Sequence, residues 1–140
     1  MRVWDLPVQY LCNKHLVAQH HEIHCIYSII AKDLKGFSHH PEVERWREHE
    51  VVLGAVHDAT VEAMLARGMK HQSPYPIRME GWNSYVGQSV KAERTDTGWQ
   101  FQLLMPKPWQ SISDQIAALV GKGCKCNIDA MIQKEVANGN

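Results

Sequence analysis

Residues 11–34 read LCNKHLVAQHHEIHCIYSIIAKDL, and the spacing of their apolar side chains decides the fold class. Leu16, Ile23, Ile26, Tyr27, Ile30 and Leu34 recur on one stripe at helical steps. That pattern predicts a long amphipathic helix with one face in a core. Lys32, Lys35 and Gly36 give its end the cations and the glycine that suit a helix C-terminus. Next, Phe37-Ser38-His39-His40-Pro41 predicts a loop, with Ser38 or His40-Pro41 opening a second helix. That helix is predicted over 41–67, burying Val43, Trp46, Val51, Leu53, Val56, Val61, Met64 and Leu65. Gly54 is the point at which it is expected to weaken or kink, at about 1 kcal/mol against alanine. The alternating charges from Glu42 to Glu50 are expected on a solvated face. Ser73-Pro74-Tyr75-Pro76 reads as extended linker.

The last third has a different character. Around Asp96-Thr97-Gly98, apolar and polar residues alternate as in a β-hairpin, with helix as the alternative for part of the stretch. Short helices are predicted over 112–120, capped by Ser111 or Ser113, and over 127–136. The expectation is a mainly α chain of one domain, residues 1–140. Its helical core spans 1–80, and a divergent part with a small hairpin spans 81–140. A length of 140 residues and a mass of 16.0 kDa suit one domain with a real core.

Composition excludes several classes of function. No run of eighteen apolar residues is present, so no membrane-spanning helix is predicted. The opening Met-Arg-Val-Trp-Asp-Leu-Pro has no apolar h-region, so export is not expected and a cytoplasmic location is. Fifteen basic side chains balance fifteen acidic ones, without the cationic excess of a nucleic-acid coat protein. Four cysteines in such a chain are expected to be reduced thiols. No phosphate-binding glycine loop and no Gly-x-Ser-x-Gly nucleophile turn occur. Nine histidines are many for this length, and they make the charge sensitive to mild acid.

Three groupings can carry chemistry. His15, Gln19, Glu22 and Ile26 share one strip of the first helix. Glu22, beside the apolar stripe, is a carboxylate placed for partial desolvation and proton transfer, or else a helix carboxylate paired with an imidazole. His20 and His24 lie four apart and invite a metal reading, with Cys25 as a further ligand. The pattern His-Glu-x-x-His fails because position 25 is cysteine. Cys124-Lys125-Cys126 has a gap tighter than ordinary zinc-knuckle spacing.

Five blocks stand in collinear order: Met1 to Pro7, Leu11 to His24, Lys35 to Glu42, Arg45-Trp46, and Met64 to Pro74. Over roughly the first 75 residues the chain resembles the pyrimidine-dimer DNA glycosylases of phages and bacteria, the endonuclease V type. The resemblance implies a compact all-α fold and an enzyme that flips a damaged base and cuts its glycosidic bond with a free α-amine. An imine with the sugar C1′ then permits β-elimination. It implies Met1 as nucleophile, retained because Arg2 is bulky, and Glu22 as the essential carboxylate. Arg2, His15, Gln19, His21, Arg45 and Lys70 are the expected substrate- and DNA-binding residues. The expected partner is double-stranded DNA with a damaged or modified pyrimidine, bound by a monomer in a bacterial or phage-infected cell, with no membrane, cofactor or metal.

The chain also departs from the family. His21 and Cys25 replace DNA-contacting arginines, and the aromatic tail has no recognisable counterpart. Trp82, Tyr85, Trp99, Phe101 and Trp109 are offered as stacking surfaces or as core. The alternatives from other classes are a non-catalytic nucleic-acid or protein-binding module and a metal protein using His20, His24 and Cys25.

Overall fold

A computed structural model describes residues 2–71, 73–75, 90–96, 98–103 and 105–138. Met1, Trp82 and Tyr85 lie outside the described residues, and of Trp99 and Phe101 only the backbone is described. A 3-10 turn at Val8–Tyr10 leads into α1 (Asn13–Ala31), α2 (Pro41–Trp46) and α3 (Glu50–Ala66). There follow β1 (Val90–Thr95), β2 (Gly98–Leu103), α4 (Ile112–Lys122) and α5 (Ile128–Asn138). The fold is mainly α. The two strands pair antiparallel, from Val90 opposite Leu103 to Thr95 opposite Gly98.

The stripe on α1 differs in detail from the one expected. Leu16, Gln19, Ile23, Ile26 and Ile29 are its buried residues. Tyr27 and Ile30 pack at the margin, and Leu34 is exposed because the helix stops at Ala31. Asp33 then takes a positive φ of 48°, a conformation that ends helical propagation and that aspartate tolerates better than most side chains.

The single helix expected over 41–67 is two helices. His40 caps α2, its Nδ1 accepting from the Glu42 N–H at 3.1 Å, and Pro41 fills the first turn. The chain breaks at residues 47–49, where Glu48 has φ 63°, and α3 starts afresh at Glu50. Gly54 does not kink α3. A Cβ there would lie 2.9 Å from two ring carbons of Tyr75, and the Tyr75 hydroxyl donates to the Glu50 carbonyl at 2.6 Å. The glycine therefore lets the 73–75 segment lie flat on the helix. The solvated face expected for the charged run is also corrected, since Glu42 and Arg45 are buried.

Two apolar clusters form the interior. In the first, Ile23 and Ile26 of α1 pack with Val43, Trp46, Val52 and Leu53. In the second, Leu11, Leu16 and Met64 meet Ile116, Leu119 and Met131 of the C-terminal helices. The N-terminal segment joins them, because Val3 enters the first cluster and its neighbour Trp4 the second. Ser111 caps α4, accepting from the Asp114 N–H at 3.1 Å, and Gly123 ends it with φ 60°. Among the described residues no helix is long and apolar enough to cross a membrane.

Candidate functional site

The N-terminal segment is held against α1 by polar side chains. Gln19, buried on α1, accepts from the Trp4 backbone N–H at 2.8 Å and donates to the Thr60 hydroxyl at 3.1 Å. Gln115 of α4 accepts from the Asp5 N–H at 2.9 Å. Beneath the segment lies a buried ionic network. Arg45 pairs with the Asp5 carboxylate and, at 3.0 Å, with Glu42, and it also donates to the Val3 and Pro106 carbonyls. Burial lifts the Asp5 carboxyl above its ordinary range, opposed by the Arg45 charge beside it. Glu42 accepts in addition from the indole N–H groups of Trp46, at 2.8 Å, and of Trp109.

This clamp directs Arg2 over α1. Its guanidinium stacks 4.5 Å from the ring centroid of Trp4 and 5.0 Å from that of Trp109, and it donates to Gln110. Arg2, Trp4, His15, Gln19, Glu22 and Trp109 line one open cleft of about 510 Å³. Trp109 is 45% exposed there, with its N–H tied to Glu42 and the Arg2 guanidinium over its ring. Glu22 is half-buried in the wall.

Four of the expected site residues thus meet in one place: Arg2, His15, Gln19 and Glu22. Three do not. His21 is exposed and lies 3.5 Å from the Cys25 sulfur. Lys70 is exposed beyond the end of α3. Arg45 corrects the expectation of a DNA contact, because its side chain is 3% exposed and its donors go to protein carboxylates and carbonyls. Gln19 is likewise a clamp on the backbone before it is a substrate contact.

A second, larger concavity of about 880 Å³ shares His15 and Lys122 with the cleft, so the two adjoin. Lys14, Arg67, Lys122 and Lys125 line it with no carboxylate among them. Burial, then Lys122 and Lys14, push His15 below the ordinary histidine range. Sequence reading missed this groove, for Arg67 and Lys125 are 58 positions apart and no local periodicity links them.

Among the described residues, two groups of side chains have potential metal-ligand atoms within 4.8 Å of one another: His20, His24 and His57, and Cys12, His15, Cys124 and Cys126. In the first, His20 Nε2 lies 3.2 Å from His57 Nε2, and His24, His57 and His71 converge on the Ser73 carbonyl at 2.7–3.2 Å. Burial first, then the neighbouring imidazoles, lower His20 to about 4. Cys25, expected to join His20 and His24, is absent from this group and sits by His21 instead. On a helix, position 25 is turned away from the face shared by 20 and 24.

A family model described as pyrimidine dimer DNA glycosylase matches residues 1–76. No curated protein and no solved structure matches the chain.

Proposed function

The chain belongs to the pyrimidine dimer DNA glycosylase family, and from that premise we propose that it excises a damaged or modified pyrimidine and then nicks the abasic strand. The cyclobutane dimer is the foremost substrate in this reading. The observation that carries it is the cleft in which Glu22 and Arg2 stand together with a half-exposed indole.

The proposed nucleophile is the α-amine of Met1, the residue joined to Arg2. An α-amine titrates near 7.7–8.0, so roughly a tenth is neutral at pH 7, far more than for a lysine. The amine attacks C1′ while the C1′–N1 bond breaks, and the departing pyrimidine takes a proton. The nitrogen then loses a proton and its lone pair breaks the C1′–O4′ bond, the ring oxygen taking up a proton, which leaves a cationic imine that the Glu22 carboxylate stabilises. Removal of a C2′ proton, with Glu22 as base or relay, breaks the C3′–O bond and expels the 3′ phosphate. Water then hydrolyses the imine and restores the amine.

Arg2, held between two tryptophans, offers donors to a phosphate next to the lesion. Trp109 offers a ring on which a flipped or unpaired base stacks. The groove of Lys14, Arg67, Lys122 and Lys125 continues from the cleft and suits the passage of a DNA backbone.

Incision of oligonucleotides carrying a dimer, an abasic site or neither tests the reading. Glu22→Gln is expected to abolish dimer cleavage and leave some abasic nicking, while borohydride traps wild-type protein through its N-terminal peptide. Equal activity of the two proteins removes Glu22 from the mechanism, and an adduct on a lysine removes Met1.

A further inference from the structure

We propose that Cys12, His15, Cys124 and Cys126 form a tetrahedral structural zinc site that locks the start of α1 to the turn between α4 and α5. The two halves of the ligand set come from opposite ends of the chain. Cys12 and His15 flank the first turn of α1, and Cys124 and Cys126 stand just beyond the left-handed Gly123 that ends α4.

His15 Nδ1 lies 3.2 Å from the Cys12 sulfur and 3.3 Å from the Cys126 sulfur, and the four ligand atoms lie within 4.8 Å of one another. Zinc bonds of about 2.3 Å to sulfur and 2.0–2.1 Å to nitrogen give tetrahedral edges of roughly 3.5–3.8 Å. The two nitrogen–sulfur separations are slightly shorter than those edges and no pair lies beyond 4.8 Å, so an ion at the centre needs only small side-chain adjustments. Three soft sulfurs and one imidazole are a donor set that selects zinc among common divalent ions, and four protein ligands close the site to catalysis.

The backbone around the site is already organised for it. The Cys12 N–H donates to the Cys126 sulfur at 3.1 Å, the kind of outer contact that holds a metal-bound thiolate. The Asn127 N–H donates to the Tyr10 carbonyl at 2.7 Å, tying the two segments beside the sulfurs. Lys14, Lys122 and Lys125 border the same wall. Zinc binding releases the thiol protons and forms three Zn–S bonds and one Zn–N bond, with no change of oxidation state. Because this wall also faces the basic groove, the ion would fix the spacing of lysines there and, through His15, one wall of the Glu22 cleft.

Cobalt(II) is the probe, since it separates thiolate from imidazole ligation by spectrum. Metal-depleted full-length protein titrated with cobalt is expected to bind one ion with sulfur-to-metal charge transfer and the intense visible bands of a tetrahedral site. Zinc should displace it and raise the melting temperature by more than about 10 °C. Cys126→Ser is expected to weaken the charge-transfer band, since one of the three metal–sulfur bonds is lost. His15→Cys, which keeps four ligands, should retain it, and His57→Asn, in the separate histidine group, should leave it unchanged. A spectrum without sulfur charge transfer, or a band of undiminished intensity in Cys126→Ser, overturns the proposal. So does a disulfide within the set under non-denaturing, non-reducing conditions, or labile sulfide in the protein as isolated.

Discussion

Arg45 illustrates how little a residue's charge says about its place. Its guanidinium is 3% exposed, between Asp5 and Glu42, so its removal leaves two carboxylates buried without a counter-charge. Arg45→Ala is expected to cost about 3–5 kcal/mol of stability, measured by denaturant unfolding, and to loosen the segment carrying Arg2. At His20 the effect reads out through pH. Its folded value of about 4 lies below the unfolded value of about 6.5, so between those limits the unfolded chain binds more protons. The stability is therefore fully present above about pH 6.5 and falls as the pH drops towards 4. His24, also lowered chiefly by burial, acts in the same direction. Melting temperature should decline steadily from pH 7 to 5 in chelator-treated protein, and His20→Gln should flatten that slope. Neither role is legible in sequence: Arg45 reads as surface, and His20 gains His57 and His71 as neighbours only through tertiary packing.

At the scale of elements, the helical reading of residues 11–34 was close, since a stripe at helical spacing constrains both conformation and facing. α4 was legible for a similar reason, because Ser111 and Gly123 are local signals that act through their own backbone neighbours. The continuous helix over 41–67 was not found. Helix-forming residues run through the break, and what turns the chain at Glu48 is the burial of Trp46 on one side and of Val51 to Leu53 on the other. Gly54 was noticed for the wrong reason. Gly54→Ala gains about 1 kcal/mol of helix propensity but drives a Cβ into a tyrosine ring anchored at its hydroxyl, where overpacking costs about 1–3 kcal/mol. The substitution is expected to be net destabilising by about 1 kcal/mol in equilibrium unfolding. A stabilised Gly54→Ala protein would mean that Tyr75 is free to move away.

For the whole molecule, net charge predicts little about DNA while charge placement predicts a good deal. Four cations on one groove, with no carboxylate among them, should neutralise up to four phosphates. Each contributes about −0.9 to the slope of log K against log salt, so affinity should fall about 100-fold between 50 and 200 mM salt. Changing Lys14 and Lys125 together to Gln should reduce the slope by about 1.8, as read by fluorescence anisotropy on a duplex. An unchanged slope would place the DNA elsewhere. Sequence was sufficient for the mainly helical class, the family over the first half of the chain, and the shared strip of His15, Gln19 and Glu22, because helical periodicity and collinear blocks are properties of neighbours along the chain. It could not show that Trp109 lines the Glu22 cleft, that Arg45 lies inside, or that Cys124 and Cys126 face Cys12. Those juxtapositions join residues 40 to 114 positions apart, and they exist only once two apolar clusters have drawn the N-terminal segment between α1, α3 and the C-terminal helices.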